Sequence, residues 1–440
     1  MRRATLQMVL VCGLLLGPAP AWADLDHSNK PPDRFPSDVA SVWFDRLYQV
    51  IRSEATAPPP ASRIYGISAV ALYEAMAPRS QGNRPLLGQL NGLTWVPEPT
   101  PQKHHWPAVA NAVLARTIRG LFPSLTPANA AAIDAQEAAF LAHFEDVVPR
   151  PVLERSVEHG HDVADTILSW AAGDGYAELN GCPYVPVPVP GAWLPTPPAF
   201  NPAPLQPCWG GLRPMVLASG AECGPVGHPP FSVETGSEFH AAAREVYDVG
   251  RTLTEEQRTV ATFWADNAGA TGTPAGHWIA IVGQLARSRG LNLVAAAEAY
   301  ARVGIAVHDA FVECWHAKYL HNLQRPVTYI RNHIDPAWTP FLVTPAFPTY
   351  TSGHSTQSGG AAEALTDMFG TVRFTDTLRA DHGLVPPLAP RTFDSFRQAA
   401  MEAAVSRLYG GIHYTFDNDD GLTAGRCIGG AIRERVTFER

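Results

Sequence analysis

Residues 292–322 read NLVAAAEAYARVGIAVHDAFVECWHAKYLHN, a run that predicts one long helix. The same reading repeats outward from it. Upstream, residues 37–54 line Val39, Val42, Trp43, Leu47, Val50 and Ile51 along one face, with Ser37 as a candidate cap. Pro60 opens a second helix through Ile64, Ile67, Val70, Leu72 and Met76. Further helices are predicted at about 106–122, 127–144, 152–172, 254–267 and 274–287, each bounded by Pro or Gly or started by a Ser/Thr cap. Thr254 followed by Glu255 and Glu256 is a good N-terminus. Downstream, helices are predicted at 326–333, 353–369, 392–410 and 417–435. Strand-like alternation is nowhere convincing and no repeat is found, so the expected fold class is all-α, a helical bundle.

One stretch breaks the pattern. Fourteen of the 41 prolines fall between Gly181 and Pro230, and Val185-Pro186-Val187-Pro188 cannot form helix interior. The expected organisation is therefore a helical part over 24–172, an irregular proline-rich excursion over 173–235, and a second helical part over 236–440. Trp193, Trp209 and Phe200 argue that the excursion packs on the protein and does not act as a solvated linker.

Residues 1–23 read as an export signal. Arg2 and Arg3 form the positive end, Met8 to Leu16 the apolar run, and Ala21-Trp22-Ala23 the cleavage site. The expected location is periplasmic or secreted. No later segment offers an uninterrupted apolar run long enough to span a bilayer. The formal net charge of -8 becomes more negative when Arg2 and Arg3 leave, which argues against nucleic acid as a partner. Any anion site must then be built by local donors against the mean field. Cys182 and Cys208 flank the excursion, where a disulfide would staple a loop without regular structure. Cys314 and Cys427 lie in apolar helical runs and are read as buried thiols, and no spacing matches a zinc site.

Three short segments carry the chemistry. In the first, Lys318 precedes Arg325-Pro326 by seven residues, close to two helical turns, so the two cations are expected on one face. Pro326 puts Arg325 at a helix end, and two such cations suit a multiply charged oxyanion. In the second, Ser352-Gly353-His354-Ser355 enters a helix whose N-terminus offers amides and a positive dipole to an anion. Ser352 adds a hydroxyl, and His354 can move a proton near neutral pH. In the third, Ser406-Arg407 and His413 are joined through Gly410-Gly411, which lets both reach one pocket. Asp417, one turn beyond His413, can bond its Nδ1 and leave Nε2 free, cap the helix that starts there, or do both. His240, His308, His316, His321 and His333 sit at no ligand spacing, although Asp309 beside His308 is a candidate to orient a site residue.

In this order, Lys318, Arg325, Pro326, Ser352, Gly353, His354, Ser406, Arg407, His413 and Asp417 resemble the signature shared by type 2 phosphatidic acid phosphatases, bacterial class A acid phosphatases and vanadium haloperoxidases. Ala61-Ser62-Arg63 and Gly276-His277-Trp278 extend a looser resemblance to exported bacterial haloperoxidases. Thr351 departs from the family's usual Pro before Ser-Gly-His and is expected to loosen that loop. The resemblance implies vanadate as cofactor, with phosphate able to take the same site. It makes His413 the axial ligand to the metal through Nε2 and His354 the acid/base. Lys318, Arg325, Arg407, Ser352 and the Gly353 amide would form the cradle. Trp315 and Phe347 resemble positions that flank vanadate in chloroperoxidase-like enzymes and would wall a halide pocket. The leading expectation is a peroxidase acting on hydrogen peroxide and halide to give hypohalous acid. The alternative is an exported phosphatase acting on a phosphomonoester through a phosphohistidine on His413. The chain is long for a soluble acid phosphatase and lacks the spans of a lipid phosphatase.

Overall fold

A computed structural model describes residues 30–185, 187 and 189–440 of the chain; the expected signal at 1–23 lies outside the described residues. The first group of helices comprises α1 (Asp38–Ser53), α2 (Pro58–Met76), α3 (Trp106–Leu121), α4 (Pro127–Val147) and α5 (Arg150–Ala172), followed by the single turn α6 (Tyr176–Leu179). After the proline-rich stretch come α7 (Glu238–Arg251), α8 (Glu255–Phe263), α9 (Thr273–Arg289) and α10 (Leu293–His321). The chain ends with α11 (Pro326–His333), α12 (Gly353–Phe369), the short α13 (Leu378–Asp381), α14 (Phe396–Tyr409) and α15 (Thr415–Arg435).

Helix α10 is the shared spine. The Asn292 side chain caps it by accepting from the Ala295 amide, and Asn322 stops it in the left-handed region at φ 46°. Its 29 residues span roughly 43 Å at 1.5 Å per residue. It is apolar nearly all round, as a helix enclosed by others must be. Helix α2 packs on one side of it and α12 on another, while α12 also packs along α14 and α15. Some helix crossings are so close that only glycine fits. A Cβ on Gly66 of α2 would lie 2.8 Å from the Gly304 carbonyl of α10, and one on Gly425 of α15 would lie 2.4 Å from the Thr356 carbonyl of α12.

Several boundaries differ from the sequence reading. Helix α7 was not expected, although Ser237 caps it and Phe239, Ala243, Val246 and Tyr247 are buried at helical spacing. Phe374–Asp376 and Arg391–Phe393 form a two-stranded antiparallel ribbon, so α14 begins at Phe396 and not at 392. Strands of three residues are too short to show alternation. Lys318 and Arg325 do not share one helix face, because Asn322 ends α10 and Arg325 is the extended residue before α11.

The proline-rich stretch is stapled to the bundles. Cys182 and Cys208 are bonded as expected. Cys427 is not a free thiol: it bonds Cys223, 204 residues away, tying the stretch to α15. Among the described residues, Cys314 alone is a free thiol, and it is buried. Asp309 orients no anion-site residue; its carboxylate accepts the Met215, Val216 and Leu217 amides at 2.6 to 3.0 Å and anchors the stretch to α10.

Candidate active site

The three segments converge in the C-terminal bundle. The Ser352 hydroxyl caps α12 by accepting from the Ser355 amide, which sets the Gly353 and His354 backbone at a helix start. Gly411, at φ 73°, turns the chain between Arg407 at the end of α14 and His413 before α15. Lys318, Arg325, Ser352 and Asp417 show no solvent exposure, and Arg407 shows 1%. Charges buried this deeply need partners.

Backbone carbonyls provide most of them. Lys318 Nζ donates to the carbonyls of Pro348 (3.0 Å), Thr349 (2.9 Å) and Thr351. Thr351 therefore does not loosen the loop: its carbonyl grips Lys318, and its hydroxyl pairs with that of Thr356 at 3.2 Å. All three Lys318 donors are committed, so toward an oxyanion this residue offers charge more than a free N–H. Arg325 donates through Nε to the Phe347 carbonyl (2.8 Å) and through Nη1 to that of Ile412 (2.9 Å), while its Nη2 is buried without a partner. Arg407 Nη2 donates to the carbonyls of Trp264 (2.8 Å) and Ala261 (3.2 Å).

Asp417 has both expected roles. Its Oδ2 lies 2.8 Å from His413 Nδ1 and accepts the Tyr414 amide at 3.1 Å in the cap of α15. With the ring proton placed on Nδ1 by Asp417, His413 Nε2 is an acceptor, and Arg325 Nη1 sits 3.0 Å from it. Burial, followed by the charges of Arg325 and Lys318, holds the His413 pKa well below the usual imidazole range. Burial and then Arg407 do the same to His354, whose Nε2 is buried with no hydrogen-bond partner. Burial lowers Arg325 and Arg407 to about 10. It also pulls Lys318 down and pushes Asp417 up. Lys318, Arg325 and Arg407 thus surround two neutral histidines, with Asp417 behind His413 and Asp266 in the cavity wall as the nearby carboxylates, an excess of positive charge that a tetrahedral oxyanion would relieve.

A cavity of about 190 Å³ opens on this cluster, lined on its reactive side by Gly353, His354, Arg407 and His413. Trp315 and Phe347 line it too, with ring centroids 5.0 Å apart and the Lys318 ammonium 5.6 and 5.2 Å from the two rings. They are both core and cavity wall. Sequence reasoning missed three contributors. Leu205 brings the proline-rich stretch into the wall, its carbonyl accepting from Trp315 Nε1 (3.2 Å) and Tyr319 Oη (2.6 Å). Thr349 bonds both His413 and Asp417 through its hydroxyl. Residues 265–268 form the wall opposite. None of the three lies in a motif, and no local signal marks them.

Comparison with known proteins meets the site at this point. A family model described as the VCPO second helical-bundle domain matches residues 298–439. The chain is similar to a bacterial vanadium-dependent iodoperoxidase of known structure, with 35% identity and a TM-score of 0.85, over 93% of this chain and 98% of that one. It shares its fold with a bacterial vanadium-dependent chloroperoxidase solved in apo and holo forms, each at 16% identity and a TM-score of 0.65. The apo form covers 86% of this chain and 94% of that one; the holo form covers 87% and 93%. No curated protein matches. These matches place the fold and its buried, cation-rich site in the vanadium-dependent haloperoxidase class. The chain belongs to that family.

Proposed function

We propose that the chain oxidises halide, iodide first among them, with hydrogen peroxide, using vanadate held at the cluster around His413. The observation that carries this reading is the pair of buried, unpartnered nitrogens, Arg325 Nη2 and His354 Nε2, within a site where Lys318, Arg325 and Arg407 outnumber Asp417 and Asp266. The donor set fits vanadate: a neutral imidazole whose Nε2 lone pair is held only by Arg325 Nη1, two guanidinium groups, the Ser352 hydroxyl and a helix N-terminus. Bound vanadate would supply the Lewis-acid centre that makes peroxide an oxidant toward halide. Asp417 and Thr349 hold His413 in the ligating tautomer, and Lys318 contributes charge from behind the 347–351 backbone. His354, neutral and unpartnered at Nε2, takes and returns the protons of peroxide. Trp315, Phe347 and Leu205 exclude water and favour a large, weakly hydrated halide.

The test uses purified apo-protein. Vanadate, peroxide and iodide together should give vanadate-dependent triiodide absorbance, with bromide oxidised more slowly. Hydrolysis of p-nitrophenyl phosphate by the vanadate-free protein, with vanadate only inhibiting it, would overturn the reading in favour of the phosphatase. We also propose export to the periplasm or medium after cleavage before Asp24, supported by the two disulfides; the mass of the secreted chain checks it.

A further inference from the structure

His277 on α9 belongs to no part of the anion site, yet both of its ring nitrogens are held by carboxylates. Its Nδ1 lies 2.8 Å from Asp266 Oδ2 and its Nε2 2.6 Å from Asp376 Oδ2, and all three side chains are almost wholly buried. A neutral imidazole has one N–H, so bonding carboxylates at both nitrogens requires a ring protonated at both. Burial opposes that charge, but Asp266 and then Asp376 outweigh it and push the pKa up to about 10. Asp376 is itself pinned, its Oδ1 accepting the Leu378 amide at 2.9 Å and Gln284 Nε2 at 3.3 Å.

The clamp reaches the anion site through backbone. The Trp264 indole stacks on the His277 ring, with centroids 4.3 Å apart and planes 17° apart. The carbonyl of Trp264 accepts Arg407 Nη2 at 2.8 Å and lies near enough to the His354 ring to favour its protonated form. Two residues on, Asp266 stands at φ 44° and lines the cavity with His354, Arg407 and His413. The other charged or titratable groups facing the clamp are Tyr48 from α1, Tyr65 from α2, Arg379 and His382 from the α13 turn, Arg407 from α14 and His354 from α12.

We propose that His277, clamped between Asp266 and Asp376, is a positioning residue for the anion site: it fixes the 264–266 backbone and so holds the Trp264 carbonyl that receives Arg407 and faces His354. It touches neither substrate nor cofactor. The inference rests on the haloperoxidase reading of the site.

The test compares wild type with His277→Gln in the full chain, reading inorganic vanadate affinity by calorimetry without peroxide, then kcat and KM for iodide with vanadate saturating. His277→Gln should bind vanadate about tenfold or more weakly, the scale seen when the partner that orients a metal-binding side chain is removed. Its kcat should fall by a similar factor, with KM for iodide unchanged. A folded His277→Gln protein with wild-type affinity and kcat overturns the proposal, since a merely structural residue moves the melting temperature and neither constant. If His277→Gln does not fold, Asp376→Asn loosens the clamp from its far side and should shift both constants the same way, by less; unchanged constants there overturn it equally. Wild type that binds no vanadate refutes the haloperoxidase reading and this inference with it. Wild type that binds while the variants match it refutes the positioning role alone.

Discussion

His413 and His277 are both buried, and each has its Nδ1 2.8 Å from an aspartate, but their surroundings give them opposite charge. His413 has one carboxylate and lies among Arg325, Lys318 and Arg407, so it stays neutral and keeps a lone pair on Nε2. His277 has a carboxylate at each nitrogen and stays protonated, with no lone pair to give. A His–Asp pair does not by itself define a ligand or a base. The count of neighbouring charges decides which histidine can bind a metal and which can only hold structure.

The largest effect tests that division directly. His413→Ala should abolish vanadate binding in calorimetry and with it all halide oxidation, because no other uncommitted ring nitrogen backed by a carboxylate faces the cluster. His354→Ala should keep vanadate affinity within severalfold and lose turnover by roughly 10²–10⁴, the usual worth of a general acid/base. Equal loss of binding in the two variants would show that the roles are misassigned.

How much of this was legible beforehand depended on distance along the chain. Asn292 and Asn322 marked both ends of α10, and the His413–Asp417 pair and the Ser352 cap are local, so sequence spacing revealed them. The His277 clamp joins residues 11 and 99 apart, and Cys223–Cys427 joins residues 204 apart; no local pattern encodes either. The seven-residue spacing of Lys318 and Arg325 suggested the right neighbourhood for the wrong reason. The two meet because both donate to the carbonyls of residues 347–351, not because they share a helix face. Helix α7 had a readable cap and face, but it follows directly on the proline-rich stretch and was passed over with it.

A smaller effect contrasts the charge balance of the two clusters. At the anion site three cations exceed the nearby carboxylates of Asp417 and Asp266, whereas the two carboxylates around His277 exceed the single charge of its ring. Vanadate or phosphate at one hundred times its dissociation constant should therefore stabilise the fold by about 2.7 kcal/mol, read as a higher melting temperature that chloride at equal ionic strength does not reproduce. Arg407→Ala should lose most of that shift. It should also melt below wild type without any oxyanion, since the Ala261 and Trp264 carbonyls lose their donor. A wild-type melt indifferent to both oxyanions would remove the anion site from consideration.

The smallest effect, and the sharpest use of the comparison, is in the pH dependence of stability. His413 and His354 have folded pKa values well below the unfolded value near 6.5, so the unfolded chain binds more protons below that pH. Their contribution to stability is present above about pH 6.5 and lost as the pH falls. His277 has the opposite sign. Its folded pKa of about 10 lies above the unfolded value, so its stabilisation is complete below about pH 6.5 and disappears as the pH rises toward 10. Lys318, pulled down by burial, works against this limb by favouring the folded state as the pH rises, so the wild-type curve alone mixes the two. Subtracting the His277→Gln curve, measured by urea unfolding between pH 7 and 10, isolates the His277 share. That difference should shrink by up to about 1.4 kcal/mol per pH unit, while the acid limbs of the two proteins stay parallel. A difference that is constant from pH 7 to 10 would mean that the His277 ring carries no charge to lose, and the contrast between the two histidines would collapse.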